Sequence, residues 1–383
     1  MMERYPIVNS GEIKGYIRTF PDFLELIIGP VGQLLSLSPR GAHKLKANPA
    51  QIRAWYEPSF NIPGYTHSSV EDYLNLLYHS LKGKLEGKVL VDMSGGKDST
   101  ASAILLSKLA EKLPISLVGV HIHMPYLEPE ANIDSAEKIA GKLGIRLIVT
   151  EPPRSKMRYY LERLGLPSRG RRWCTYLKTR ALREIKKRVK AKYEAKGDRI
   201  AEAGKRLRKL HFMLKNRLFT QGAVVNVVYP LSLLDIVRLV RSEKLVHELY
   251  VAGMPRVSCT YCPYKSLYEL YAEPARGLDI AYIEHVLNRQ YHKYYSPIAR
   301  WEEFQKYHLW RFDPSASKLL HAILSVSARQ PLKVNFREIT GMIKSIWTEK
   351  LPENYSMCNI NCMEKLVEEK IKTWEYVKVK KDN

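Results

Sequence analysis

A chain of 383 residues is too long for one average domain and predicts two or three. Its 45% hydrophobic content is ordinary for a globular protein, and no run approaches the ~18 uninterrupted apolar residues of a membrane span. The 62 Lys and Arg against 39 Asp and Glu leave a net +23, which favours polyanions such as nucleic acid, nucleotides or acidic membranes, or else serves only as a solubilising surface.

Met1 to Tyr16 has scattered charges and no apolar stretch, so a secretory signal is not expected, and a cytoplasmic protein without a membrane partner is. Residues 1–65 mix short apolar runs, Leu24 to Ile28 and Leu34 to Leu37, with punctuation at Gly29-Pro30 and Pro39-Arg40-Gly41. That pattern predicts short strands and turns in a small β-rich module. Pro58 to Gly64, with two prolines and a glycine, reads as a linker. Val70 to Leu81 has helical spacing through Val70, Tyr73, Leu74 and Leu77, and leads into a main domain expected over 66–275.

From Lys88 a β-α alternation sets in. Lys88 to Met93 is a short buried strand, and Ser99 to Leu113 a helix with Ala101, Ile104, Leu105 and Leu109 on one face. Ile115 to Ile122 is a second strand, Asp134 to Leu143 a helix, and Ile145 to Thr150 a third strand. Strands alternating with helices imply an α/β, doubly wound parallel sheet with right-handed crossovers. Residues 171–217 hold 18 Lys and Arg against 4 Asp and Glu, a local net of +14. Ala223 to Val228 reads as another buried strand and Leu233 to Val240 as a helix. The region 276–383 is expected to be mainly helical, and its aromatics Trp301, Phe304, Tyr307 and Trp310 to be core rather than base-stacking platforms.

The segment Ser94-Gly95-Gly96-Lys97-Asp98-Ser99 lies between the first of these strands and the helix that follows. The glycines take backbone angles closed to other residues, and the amides at the helix start can face a phosphate with the help of the helix dipole. Ser94 and Ser99 can donate hydroxyl hydrogen bonds, Lys97 can offset charge, and Asp98 can cap the helix or help hold Mg²⁺. The loop lacks G-x-x-x-x-G-K-S/T and is not a Walker A loop. It resembles the PP-loop of ATP pyrophosphatases, which cleave ATP between the α and β phosphates.

Further segments, in order, resemble the phosphoadenosine phosphosulfate (PAPS) reductase-like family. They are Arg171-Arg172-Trp173-Cys174 with Lys178; Gly197-Asp198-Arg199 with Glu202, where Ala203 and Gly204 depart from the pattern; Tyr229-Pro230-Leu231 with Asp235; and Leu249-Tyr250 through Arg256 to Cys259 and Cys262. The resemblance covers about residues 85–270. It implies the adenine nucleotide alpha hydrolase-like fold, ATP at the loop, and phosphate or sulfate groups on Arg171, Arg172, Lys178, Gly197 and Arg199. Asp98, Lys97 and Cys174 are the implied catalytic residues. A small β-rich module ahead of such a domain also resembles archaeal proteins that carry a PUA-like RNA-binding unit.

Five cysteines, an odd number, argue against a disulfide framework; C-x2-C at Cys259 and Cys262 and C-x3-C at Cys358 and Cys362 suggest metal or redox chemistry in a reducing compartment. The family resemblance implies an iron–sulfur cluster, 4Fe–4S, on Cys174, Cys259 and Cys262. Trp173 stands where a further cysteine is found, so the fourth ligand is Cys358, Cys362 or none, and an open iron would suit sulfur transfer. Zinc, or no metal, remains the alternative. Two enzymatic readings follow: ATP-dependent thiolation of RNA such as tRNA, with a protein sulfur donor, or reduction of PAPS or adenylylsulfate to sulfite, with an electron donor. The second lacks its expected C-terminal cysteine motif, since Met357-Cys358-Asn359-Ile360-Asn361-Cys362 does not match it. A third reading is a non-catalytic RNA-binding protein with a relict nucleotide pocket.

Overall fold

The computed structural model describes residues 4–28, 31–44, 69–202, 206–272, 278–327, 329, 332–352 and 367–368. The segment 58–64 and the two C-terminal cysteines, Cys358 and Cys362, lie outside them. Strands β1 (Tyr5–Asn9), β2 (Glu12–Thr19), β3 (Phe23–Ile28), β4 (Val31–Ser38) and β5 (Gly41–Lys44) form an antiparallel meander. Alternate residues Leu24, Leu26, Leu35 and Leu37 are buried, as the period of two along a strand requires, and Leu24 sits opposite Leu35.

The second sheet holds β6 (Gly87–Asp92), β7 (Ile115–Ile122), β8 (Arg146–Thr150), β9 (Tyr193–Ala195), β10 (Thr220–Gln221) and β11 (Val224–Val225), in the order β10-β11-β9-β6-β7-β8. All its pairs are parallel except the β10–β11 hairpin. Around it lie α1 (Val70–Leu81), α2 (Lys97–Ala110), α3 (Ala131–Lys142), α4 (Arg154–Leu164), α5 (Trp173–Arg188), α6 (Leu207–Lys215) and α7 (Leu233–Ser242). Helix α2 is buried on most sides, through Ala101, Ala103, Ile104, Leu105, Leu106 and Leu109, because it packs on α1, α7 and the sheet. Each such Leu or Ile contributes roughly 1.5–3 kcal/mol by leaving water. A capping box at Ser232 and Asp235 starts α7.

The expected strand at Ala223 to Val228 is cut to Val224–Val225. Asn226 ends it by turning its side chain to the Asp198 carbonyl, 2.7 Å away, and to the Val228 amide at 3.1 Å. Strand β9 and helix α5 emerge from the basic stretch instead. Two short helices, α8 (Glu248–Val251) and α9 (Leu267–Ala272), follow, and the region beyond residue 276 is mainly helical in α10 (Ile280–Tyr294), α11 (Trp301–Lys306), α12 (Pro314–Ser327) and α13 (Phe336–Thr348). Phe304, Tyr307 and Trp310 are core residues. No helix among the described residues is long and apolar enough to cross a membrane.

One strand crosses between the regions. β12 (Leu332–Asn335) pairs antiparallel with β5 and completes the N-terminal sheet at six strands. Gly41 makes this possible: its φ is +144°, and a Cβ there would stand 2.3 Å from the Val334 carbonyl oxygen. Next to it α13 packs on β1, where the buried Val8 amide donates to Ser345 Oγ at 2.9 Å. Ser345→Ala strands that amide without an acceptor. Urea unfolding is expected to show a loss of about 1–3 kcal/mol, and an unchanged midpoint would mean that this contact does not hold the two regions together.

Candidate nucleotide and thiol site

The loop after β6 is shaped by its glycines. Gly95 has φ +74°, and Gly96 is the extended residue ahead of α2, which has no side-chain cap. With no cap to occupy them, amides of the first turn of α2 are open to the cleft, beside the ion-paired carboxylate of Asp98. Ser94 Oγ and Ser99 Oγ lie 2.9 Å apart across the loop, and the Lys97 amide donates to the Tyr250 hydroxyl at 2.8 Å.

Beneath the loop lies a four-charge cluster. Lys97, with its side chain 4% exposed, donates from Nζ to Asp98 Oδ2 at 2.9 Å and to Glu202 Oε1 at 2.8 Å. Arg199, with no exposed side-chain surface, donates to Asp98 Oδ1 through Nε, to Glu202 Oε1 through Nη2 at 3.0 Å and to the Leu231 carbonyl at 3.3 Å. Two cations and two carboxylates balance. Burial works to raise the Glu202 carboxyl, but Lys97 and Arg199 outweigh it and hold it down at about 2. Burial likewise works against the Lys97 charge, and Asp98 and Glu202 reverse the effect and raise it. Gly197 packs on the same turn, where a Cβ would lie 3.1 Å from the Asp98 carbonyl carbon and 3.2 Å from the Ser99 amide.

The cleft above holds about 220 Å³ and is lined by the loop with Glu202, Tyr250, Arg256 and, from the N-terminal sheet, Tyr5. The Tyr5 hydroxyl donates to the Pro255 carbonyl. Arg256 forms the wall shared with the cysteines. Its Nε donates to Glu269 at 2.8 Å and its Nη2 lies 4.0 Å from Cys262 Sγ.

Cys174 opens α5, while Cys259 and Cys262 occupy one turn, closed by the Cys262 amide donating to the Cys259 carbonyl at 3.2 Å. The three thiols lie close enough to affect one another's ionisation. Burial pushes the Cys174 thiol up, with Cys262 adding to it and Arg172 opposing. Burial does the same at Cys259, where Glu128 and the other two thiols add and Lys178 opposes. All three are free and partly buried.

The predicted site residues divide between three places. Ser94, Gly96, Lys97, Asp98 and Ser99 line the cleft. Gly197 and Arg199 support it from below. Arg171 and Arg172 lie over the rings of Tyr294 and Tyr264, at 5.3 and 4.8 Å, and Lys178 Nζ donates to Glu128 at 3.2 Å. These three flank the thiols rather than the phosphate loop. Glu202, Tyr250 and Arg256 join the site from within the motif segments, although their types alone do not assign them a role. Tyr5 comes from a different region and leaves no local signal.

Compared with known families, residues 88–265 match the phosphoadenosine phosphosulfate reductase domain. No curated protein matches the sequence. Among solved structures, the chain is similar to the U34-tRNA thiolase NcsA from Methanococcus maripaludis with its 4Fe–4S cluster, at 14% identity and TM-score 0.37, over 69% of this chain and 81% of that one. It is also similar to NMN synthetase from Francisella tularensis, at 14% identity and TM-score 0.31, over 59% and 96% of the two chains. A third is the NH3-dependent NAD synthetase from Campylobacter jejuni, at 18% identity and TM-score 0.32, over 58% and 92%.

The charge cluster makes a pH prediction. A carboxyl lowered in the folded state stabilises fully above its ordinary value of 4.5 and loses that contribution as pH falls through about 2. Glu202→Gln is expected to flatten this part of the stability curve and, by leaving two buried cations on one carboxylate, to cost about 3–5 kcal/mol at neutral pH. Urea unfolding across a pH series measures both, and equal slopes for variant and parent would contradict the assignment.

Proposed function

Because the chain carries a phosphoadenosine phosphosulfate reductase domain over residues 88–265, we propose that it is an ATP-dependent sulfurtransferase acting on RNA. The observation that carries this reading is a single wall: Arg256 lines the phosphate-loop cleft and lies 4.0 Å from Cys262 Sγ. Nucleotide activation and thiol chemistry are thereby adjacent. The α2 amides and the Ser94 and Ser99 hydroxyls hold the ATP phosphates. Arg256 offsets charge on the α-phosphate as the acceptor's carbonyl oxygen attacks phosphorus and pyrophosphate leaves. The terminal sulfur of a donor protein's persulfide then bonds to the activated carbon as AMP departs with the oxygen, and a second thiolate of the donor attacks the inner sulfur, so that the S–S bond breaks to leave the thiocarbonyl and a donor disulfide.

Lys97 acts within this scheme through position. Its Nζ is committed to Asp98 and Glu202, so it fixes the first turn of α2 beneath the phosphates. Both carboxylates at the cleft are ion-paired, which leaves Mg²⁺ to enter on the nucleotide's own phosphates rather than on a bare protein carboxylate.

The thiols fit a cluster better than a mononuclear zinc. Sulfurs on one tetrahedral zinc stand roughly 3.8 Å apart, as bonds of ~2.3 Å require. Among the described residues, the group that brings three ligand atoms within 4.8 Å of one another is not the cysteine trio, although the three thiols interact. Cys174, Cys259 and Cys262 would hold three irons of a 4Fe–4S cluster, and the fourth iron, if neither Cys358 nor Cys362 takes it, would carry sulfur.

An RNA acceptor suits the outer face. Arg180, Arg183, Lys187 and Arg188 are exposed on α5, and Phe212, 51% exposed on α6, stands among Arg208, Lys209 and Lys215. A cationic face with an accessible ring tracks a backbone and stacks a base. The antiparallel N-terminal sheet, which contributes Tyr5 to the cleft, gives the RNA a second docking surface.

Ser99→Ala is expected to weaken ATP binding about tenfold in calorimetry, the loss of one charge-assisted hydrogen bond. Binding of bulk tRNA is expected to fall roughly 10³-fold between about 50 and about 200 mM salt. Replacing Arg208, Lys209 and Lys215 together by Gln should lower that salt slope by about 3 without changing ATP affinity. If tRNA binding is undetectable at low salt and PAPS or adenylylsulfate yields sulfite, the protein is a reductase, the reading that its domain family itself favours.

A further inference from the structure

The end of β7 carries chemistry that sulfur transfer leaves unused. His121 and His123 are two residues apart where β7 ends, and such residues share a face of a strand. Glu128 follows in the segment leading to α3. The three are 2%, 9% and 4% exposed, and one ligand atom of each lies within 4.8 Å of the other two. No other trio of His, Cys, Asp and Glu among the described residues meets that spacing.

Hydrogen bonding fixes which atoms meet. The Met93 carbonyl only accepts, so His121 Nδ1, 2.8 Å away, carries a proton, which leaves Nε2 as the nitrogen available to a ligand. Nε2 is buried without a hydrogen-bond partner and lies 3.9 Å from Glu128 Oε1, beyond hydrogen-bond reach. His123 Nδ1 is likewise buried without a partner. Glu128 is held from behind: Oε2 accepts from the Met124 amide at 3.1 Å and Lys178 Nζ at 3.2 Å, and Oε1 from Asn132 Nδ2 at 3.0 Å. Lone pairs and a carboxylate turned toward one another repel, and each unmade buried bond is a further penalty. A cation among them removes both penalties.

We propose that His121, His123 and Glu128 bind a zinc-class divalent transition metal through Nε2, Nδ1 and Oε1. Two imidazoles and one carboxylate are a ligand set that zinc accepts, with a fourth position left for water. The backbone-anchored His121 ring and the amide-anchored carboxylate are the outer-shell supports such ligands use. This site shares no ligand with the thiols. It has neighbours in common with both: the Met93 carbonyl that anchors His121 directly precedes Ser94, and Lys178 feels both Glu128 and Cys259.

Cobalt(II) titration of the metal-stripped full chain under anaerobic conditions tests this assignment. The triple variant Cys174→Ser/Cys259→Ser/Cys262→Ser, made in a chain whose Cys358 and Cys362 are also replaced by Ser, is expected to retain one equivalent of cobalt, with visible d–d bands and no near-ultraviolet sulfur-to-cobalt charge-transfer band. In the chain with native cysteines, His123→Gln is expected to weaken that sulfur-free cobalt binding by about tenfold or more while leaving thiolate-bound cobalt in place. Circular dichroism establishes that each variant is folded, and either arm decides alone if the other variant is not. Retention of the sulfur-free bands in folded His123→Gln would overturn the proposal, as would their absence from the folded triple variant.

Discussion

Lys97, Asp98, Arg199 and Glu202 share one buried, neutral knot, and much of the site depends on it. Each charge taken alone from water would cost several kcal/mol. Together they satisfy one another, and their positions tie the first turn of α2 to the segment after β9. The amides of α2 can then face outward toward an anion, because the side chains of the same turn face inward toward the knot. Removing any member leaves an uncompensated charge directly beneath the phosphate-loop amides. Loop shape and local stability are therefore one property here.

Above the knot, the cleft is assembled from regions distant in sequence. The loop gives the floor, Tyr250 and Arg256 one side, and Tyr5 of the N-terminal sheet another. Burial raises the Tyr250 hydroxyl to about 12, so it stays neutral and donates or accepts without adding charge. Arg256 is fixed by Glu269 before any ligand arrives, which makes its orientation part of the fold rather than a response to binding.

The parts legible in the sequence are those where local pattern and tertiary role coincide. The run Lys88 to Met93, the two glycines and the apolar face of α2 announce a strand, a turn and a helix without reference to anything else. β9 is not legible, because Tyr193–Ala195 is three residues long, lies within a basic stretch and pairs with β6 only once the sheet exists. The opposite error occurs at Ala223 to Val228, whose apolar run looks like a full strand until Asn226 diverts the backbone. At the site, the motif segments name residues that the fold brings together, but not their partners. A lysine and an arginine beside a phosphate loop suggest direct anion contacts, and their pairing with Asp98 and Glu202 becomes visible only once the segment after β9 is folded against α2. His121 and His123 gave no warning, since their meaning depends on Glu128 and on a carbonyl from the neighbouring strand.

The placement of β12 has a consequence for biosynthesis. Five strands of the N-terminal sheet leave the ribosome well before the sixth, with residues 45–331 between β5 and β12. Until residues 332–335 arrive, β5 presents an unpaired edge, and the packing of β1 on α13 is also missing. The meander must wait through synthesis of the whole α/β domain before it is complete. Such an edge is open to pairing with another nascent chain, and closing so long a loop is slow. Gly41, which admits β12 to that edge, is thus the point at which an early-made sheet waits for a strand made much later.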